Sequence, residues 1–539
     1  MRRCALPLLV LVACASPPRA GEHVVTAPQA FASEQAVPLD FEIDGRLNAD
    51  SQDPATLRTL IKAQLLFTIG PLNAERSVGR LGLLDVSDVH ATEVVVTPEP
   101  ADGDAGAPSP PPPPRYDVTY HAKLPVAWAG STIPTSYTFT LPARLGAADQ
   151  SAFAAKYGAK CVDPAEGPAE AGHMFVIYRP RQSGCVLAAD DVVTFTANVT
   201  PSAELTRGKY PEYHRVWKDE ALNVVALFTH EYAKPTEGDE GALAYDDFVW
   251  RMREYIRLLQ PNAGKRSEPK LSQAPSAAGI STLRLAAELP DGRSMKLDVR
   301  LVGTALGDEG PAFDEWYDGV TPAADIILFN GHAGLGDNVR ALMNKGAFRS
   351  GQYLIWFANG CDTIAYVDHT LAERRASLNP DDPNGTKYLD TVTNVMAGYF
   401  SELEATGTTF LRAFVEVRYP EIGPKTYEEI FKQIDPEQVA VVTGEEDNEL
   451  EPLPPSRFPP GPPPGALVPK PAEPEPAEPE PESDPTADAP PPVQAKGSRA
   501  RDGGCGVSPS SDAGFELAAL GALFIALAAR QRSRRSTAR

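Results

Sequence analysis

Two residues combine a reactive side chain with a telling position. Cys361 ends the run Tyr353-Leu354-Ile355-Trp356-Phe357-Ala358-Asn359-Gly360-Cys361, and His332 ends Ile326-Ile327-Leu328-Phe329-Asn330-Gly331-His332. A thiol and an imidazole thus each follow a short apolar segment of strand length, with one helix-length stretch between them. That is the pattern of a cysteine nucleophile and its base. The plainer alternative is an inert core cysteine, because free cysteine is among the most buried residue types.

The other cysteines have local explanations. The chain has six: Cys4, Cys14, Cys161, Cys185, Cys361 and Cys505. Met1-Arg2-Arg3 followed by apolar Leu6 to Ala13 reads as a signal peptide. Leu11-Val12-Ala13-Cys14 reads as a lipobox, with Cys14 the lipidated residue, and Ala13-Cys14-Ala15 leaves ordinary cleavage open as the alternative. Either way Cys4 is removed and the chain enters an oxidising compartment. The spacing of Cys161 and Cys185 permits a disulfide. Cys505 belongs to the C-terminal tail. Cys361 is then the leftover thiol of an exported chain.

The elements that must position the pair lie in the second half. From Leu222, strands and helices alternate. Val224 to Phe228 is a continuous apolar run, as in a strand buried on both faces. Asp246 to Leu259 has helical spacing, and Leu283–Leu289 with Met295–Val302 flank a hairpin turn at Pro290-Asp291-Gly292-Arg293. Short helices are predicted over Ala312–Tyr317 and Asp337–Lys345, and a longer one over Lys387–Leu403. Thr426–Ile434 and Val439–Val442 close the domain. The alternation predicts an α/β domain with a mainly parallel sheet, whose ligand edge lies beyond the carboxyl ends of its strands. His332 and Cys361 both stand at such ends.

The N-terminal half, from Pro38 to about Ala203, reads as a β-rich or α+β accessory domain. Its predicted strands include Leu39–Ile43, Thr92–Thr97, Tyr116–Leu124, Thr135–Leu141, Met174–Tyr178 and Val192–Val199. One amphipathic helix is predicted over Ala55–Phe67, and Pro108–Pro114 is a surface excursion. His90, His121 and His173 lack ligand spacing and read as structural or solvated.

Beyond the second domain, Pro452–Ala495 is rich in proline and glutamate. Proline lacks a backbone N–H and fixes φ, so this stretch reads as an extended stalk on the order of 100 Å, with a proline-motif ligand as the alternative. After Gly503-Gly504-Cys505-Gly506 comes the apolar run Leu517–Ala529, then an arginine-rich end. The run is about 20 Å long as a helix, short of the roughly 30 Å hydrocarbon core. The tail resembles the MYXO-CTERM surface-sorting segments of myxobacterial proteins. That resemblance implies processing near Cys505 and display at the cell surface, and a plain membrane tail is the alternative. The organisation is therefore a signal peptide over 1–20, an accessory domain over 36–205, an α/β domain over 210–450, a stalk over 451–504 and a tail over 505–539. The net charge of −22 argues against nucleic acid as a partner.

The two strand-end motifs resemble the catalytic centre of the caspase–gingipain–legumain group of cysteine peptidases. Its signatures are an apolar strand ending in His-Gly and an apolar strand ending in a small residue plus Cys. The short interval from His332 to Cys361 is more gingipain-like than caspase-like. One departure is that His332 is followed by Ala333-Gly334 and not directly by glycine. The resemblance implies a caspase-like fold and peptide-bond hydrolysis through an acyl-enzyme. Cys361 would attack the scissile carbonyl as thiolate. His332 would pass a proton to the leaving amine. Backbone N–H groups of Ala333, Gly334 and Cys361 would hold the oxyanion. Asp362, Asp368 and His369 follow as a polar loop or as the lining of the mouth.

Two other chemistries read weakly. Gly331, Gly334 and Gly336 make G-x-x-G-x-G, which matches neither the dinucleotide fingerprint nor a phosphate loop. A metal on His332 and Cys361 would have His230 as its one obvious further ligand. No cofactor and no metal are expected. The expected partners are a peptide or protein substrate and a membrane reached through either end, at the outer membrane or cell surface. A catalytically inactive surface or adhesion protein on a peptidase-like scaffold is the alternative function.

Overall fold

The computed structural model describes residues 36–450, apart from 95–113, 166, 205, 236–237, 260–271, 276–280, 290, 418–421, 435–437 and 445–449. The predicted lipidation site Cys14, the stalk and the tail with Cys505 lie outside the described residues.

Two sheets organise the chain. The first is antiparallel and built from β1 (Val37–Ala49), β2 (Val78–Gly79), β3 (Asp85–Val94), β4 (Arg115–Trp128), β5 (Ser136–Pro142) and β6 (Val192–Pro201). Its order is β2-β4-β1-β6-β5, with β3 also on β4. Alternation along β1 buries Leu39, Phe41, Ile43 and Leu47. Their neighbours Asp40, Glu42 and Asp44 take the other face, as a period of two requires. Helix Pro54–Leu66 lays Leu57, Ile61 and Leu65 on that core, capped by the Asp53 carboxylate. Cys161 and Cys185 are joined by a disulfide.

The second sheet comprises β7 (Ala221–Thr229), β8 (Ser272–Pro275), β9 (Ser281–Glu288), β10 (Ser294–Val302), β11 (Ile326–Asn330), β12 (Leu354–Asn359), β13 (Leu389–Asn394) and β14 (Ala440–Gly444). The order is β14-β13-β12-β11-β7-β10-β9-β8. The central strands β13, β12, β11, β7 and β10 are parallel; at the edges β14 pairs antiparallel with β13, β9 with β10, and β8 with β9. The architecture is mixed α/β.

Both faces of the central strands are covered, which is why they read as unbroken apolar runs. Val224, Ala226, Phe228, Leu328, Ile355 and Phe357 pack under helices Glu240–Leu259 and Phe400–Glu416. The alternate residues Val225, Leu227, Ile327, Phe329, Trp356 and Ala358 face the other way. There they meet helices Pro311–Val320, Asp337–Asn344 and Thr370–Leu378. The same apolar cluster continues without a break into the first sheet and includes Phe41, Leu124 and Trp128.

Two predicted elements come out differently. The helix predicted over Lys387–Leu403 is instead β13 followed by helix Phe400–Glu416. All six residues of β13 are buried, so its pattern carries no period to separate helix from strand, and the β-branched run Thr391-Val392-Thr393 suits a pleated strand. The strand predicted over Met174–Tyr178 is a helical turn, Met174–Ile177, with one isolated bridge from Tyr178 to Val162. Four consecutive buried apolar residues are again ambiguous between the two states.

Candidate active site

β11 and β12 pair in register through Asn330 and Asn359. Two residues further along each strand bring His332 and Cys361 to equivalent positions. The turns that carry them touch. A Cβ on Gly360 would stand 2.4 Å from the carbonyl oxygen of Gly331 and 3.4 Å from the nitrogen of Ala333. Only glycine allows so close an approach.

The pair lies where the strand order reverses. From β7 the chain goes out to the sheet edge as β8, returns through β9 to β10 beside β7, then crosses to the opposite side of β7 as β11 and continues to β12 and β13. Ligands of open α/β sheets gather at such a switch point, outside the carboxyl ends of the strands. The end of β7 also holds His332 directly. Thr229 Oγ1 accepts the His332 backbone N–H at 3.2 Å, and the Glu231 carbonyl oxygen lies 2.8 Å from Nε2. A carbonyl only accepts, so Nε2 carries the hydrogen, and Nδ1 holds the lone pair of the neutral ring. Phe400 packs edge-on against the imidazole at 4.8 Å between ring centres. Asn338, 1 % exposed, donates to the carbonyl oxygens of His332 and Thr304 and accepts from the Leu306 N–H, each at 2.8 Å.

Cys361 is a free thiol and is 9 % exposed. Its Sγ points to the Gly398 carbonyl oxygen at 3.7 Å. No hydrogen bond joins it to His332 in this state. Catalytic hydrogen bonds in unliganded sites are often long and tighten only when substrate is bound.

After His332 the chain makes a turn of unusual backbone geometry. Gly334, Leu335 and Gly336 have φ of 61°, 50° and 95°. Among the described residues the N–H groups of Ala333, Gly334 and Cys361 donate to no backbone carbonyl.

A buried asparagine ladder underlies the site. Asn394 Nδ2 donates to Asn359 Oδ1 at 2.8 Å, and Asn359 Nδ2 donates to Asn330 Oδ1 at 2.9 Å. Asn330 Nδ2 then reaches the Leu227 carbonyl oxygen at 3.4 Å. All three asparagines are fully buried. The ladder crosses β13, β12, β11 and β7 one layer beneath His332 and Cys361 and fixes their relative register. The sequence carries its trace in the repeated Asn-Gly step, Asn330-Gly331-His332 and Asn359-Gly360-Cys361.

The residue after the thiol departs from the polar-loop reading. Asp362 is 1 % exposed and adopts the left-handed region, at φ 49°. Burial pushes its carboxyl up to about 7, while a hydrogen bond from Asn73 and the charge of Arg179 pull the other way. Asp368 instead accepts the Thr370 N–H, and His369 stands exposed at the start of helix Thr370–Leu378. His230 Nδ1 is paired with Asp239 Oδ1 at 3.1 Å. Among the described residues no group of three or more His, Cys, Asp or Glu side chains is arranged to hold a metal ion.

No protein-family model matches this chain, and no curated protein matches it either.

Proposed function

We propose that this protein is an exported, surface-displayed cysteine endopeptidase of caspase–gingipain-like type, with Cys361 as nucleophile and His332 as its base. The observation that carries the reading is the equivalent placement of the two residues beyond adjacent parallel strands, beside the reversal of strand order. The Glu231 carbonyl leaves Nδ1 of His332 as the nitrogen that exchanges protons at the thiol. The thiol gives its proton to that nitrogen, and the thiolate adds to the scissile carbonyl. The imidazolium then protonates the amine as the C–N bond breaks. Water next hydrolyses the thioester, with the neutral imidazole taking its proton, and Cys361 and His332 are regenerated. Backbone N–H groups of Ala333, Gly334 and Cys361 stabilise the oxyanion, typically worth about 3 kcal/mol per donor.

The supporting experiment is digestion of a broad peptide library by the purified protein and its Cys361→Ala variant. Cleavage by the first and none by the second is the expected result. No cleavage by either, from folded protein, sinks the endopeptidase reading.

A second reading has its own observation. Cys361 is nearly buried and its thiol faces Gly398, not His332. That state suits a non-catalytic surface protein on the same scaffold. It predicts an intact fold with an unreactive Cys361.

A further inference from the structure

The turn immediately after the nucleophile is held from the other half of the chain. Asn73, at the end of helix Ile69–Asn73, donates from Nδ2 to Asp362 Oδ2 at 3.1 Å across 289 residues of sequence. A second contact lies close by: a Cβ on Gly82 would stand 2.2 Å from the carbonyl oxygen of Val367. The N-terminal half therefore presses on both ends of the segment from Asp362 to Val367.

We propose that Asn73 is a positioning residue for Cys361, acting through the carboxyl of Asp362, so that the N-terminal half is a working part of the site. The inference rests on the peptidase reading for its enzymatic meaning, though its geometry stands alone. A non-glycine residue at positive φ persists only where its surroundings over-determine it. Aspartate tolerates that conformation better than most residues, and here its side chain is tied to Asn73. Releasing the tie lets the 361–362 peptide relax. That movement shifts the Cys361 thiol away from the Gly331–Ala333 turn.

Two orphaned atoms sharpen the chemistry. Asn73 Oδ1 and Asp362 Oδ1 are both buried and lack hydrogen-bond partners among the described residues. A single proton on Asp362 Oδ1 supplies the donor that Asn73 Oδ1 lacks. The amide and the carboxylic acid then form a two-bond pair, with both orphans satisfied. Ionisation breaks one of those bonds and leaves a buried charge beside the nucleophile. The charged group that faces Asp362 is Arg179. It is shared with Asp163 at 3.1 Å and also donates to the Gly70 carbonyl of the helix that carries Asn73.

The test uses the full chain with Asn73→Leu, Asn73→Asp and Asp362→Asn. Each variant is read by kcat and KM on a cleaved peptide and by the alkylation rate of Cys361 with iodoacetamide, from pH 5 to pH 9. Asn73→Leu should lose about tenfold or more in kcat with little change in KM, and its alkylation rate should change with it. Asn73→Asp should recover toward low pH, where one carboxyl of the new pair is protonated. Asp362→Asn keeps an acceptor for Asn73 and should retain activity with a flatter pH profile. It also serves as the folded control should Asn73→Leu fail to fold. Rates within twofold of the parent for all three variants across the pH range overturn the inference. Asn73-dependent alkylation without any cleavage would leave the positioning intact and remove the peptidase reading, whereas cleavage indifferent to Asn73 would do the reverse.

Discussion

Nε2 of His332 lies 2.8 Å from the carbonyl oxygen of Glu231, so the segment just past the end of β7 orients the imidazole just past the end of β11. The acceptor is backbone, and the Glu231 side chain is not the orienting group. His332→Ala should therefore lower kcat by at least about a hundredfold, in the range of a lost general acid–base. Glu231→Ala should stay within a few-fold of the parent. Steady-state kinetics on one peptide decide between them, and equal losses would mean that the Glu231 carboxylate itself takes part.

The asparagine ladder makes a stability prediction. Asn359→Leu leaves Asn330 Oδ1 and Asn394 Nδ2 buried without their partner. At about 1–3 kcal/mol per orphaned group, the variant should lose about 2–6 kcal/mol. Because the three amides act together, Asn330→Leu and Asn359→Leu should be non-additive in a double-mutant cycle. Chemical denaturation measures this, and strict additivity would show that the ladder is not one unit.

The pH dependence of stability follows from two buried acids. Burial pushes Asp325 up to about 8, against hydrogen bonds from Asn223, and pushes Asp362 up to about 7. Both start from an ordinary value of 3.8. Between that value and the raised one, the folded chain binds more protons than the unfolded chain, so stability falls as pH rises. Their contribution is complete below about pH 4 and gone above about pH 8. Melting temperatures of the parent should decline from pH 5 to pH 8 more steeply than those of Asp325→Asn. Parallel curves would remove Asp325 as a cause.

The disulfide should matter to the fold and not to the site. Cys161 and Cys185 close a loop of 24 residues. Chain-entropy arguments give such a link about 3 kcal/mol. Replacing both cysteines with serine should lower the melting temperature while leaving the alkylation rate of Cys361 within about twofold. A large change in that rate would extend the positioning network through Arg179, whose N–H bonds the Cys161 carbonyl at 2.8 Å.

Much of the site can be read in the sequence because strands buried on both faces are unbroken apolar runs. Ile326–Phe329 and Leu354–Ala358 show where two strands end, and the reactive residues follow directly. β13 is equally buried but shorter on apolar residues, with Thr391 and Thr393 inside it, and it reads as helix. The ladder left a trace in the twin Asn-Gly steps, whose amides gain meaning only once register aligns them. Contacts such as Asn73 with Asp362 leave none, because nothing local links residues 289 positions apart. Nor does sequence show that Gly398 and Phe400 close over the thiol and the ring, since that depends on where helix Phe400–Glu416 starts.

The central claim is that Cys361 reacts because His332 serves it. The most direct measurement is the rate at which a peptide-based electrophile labels Cys361 in folded parent protein and in His332→Ala, read by mass spectrometry of the modified peptide. Rapid, stoichiometric labelling of the parent and a loss of at least about a hundredfold in the variant is the predicted result. Equal rates in the two proteins, or no labelling of the folded parent, would contradict it.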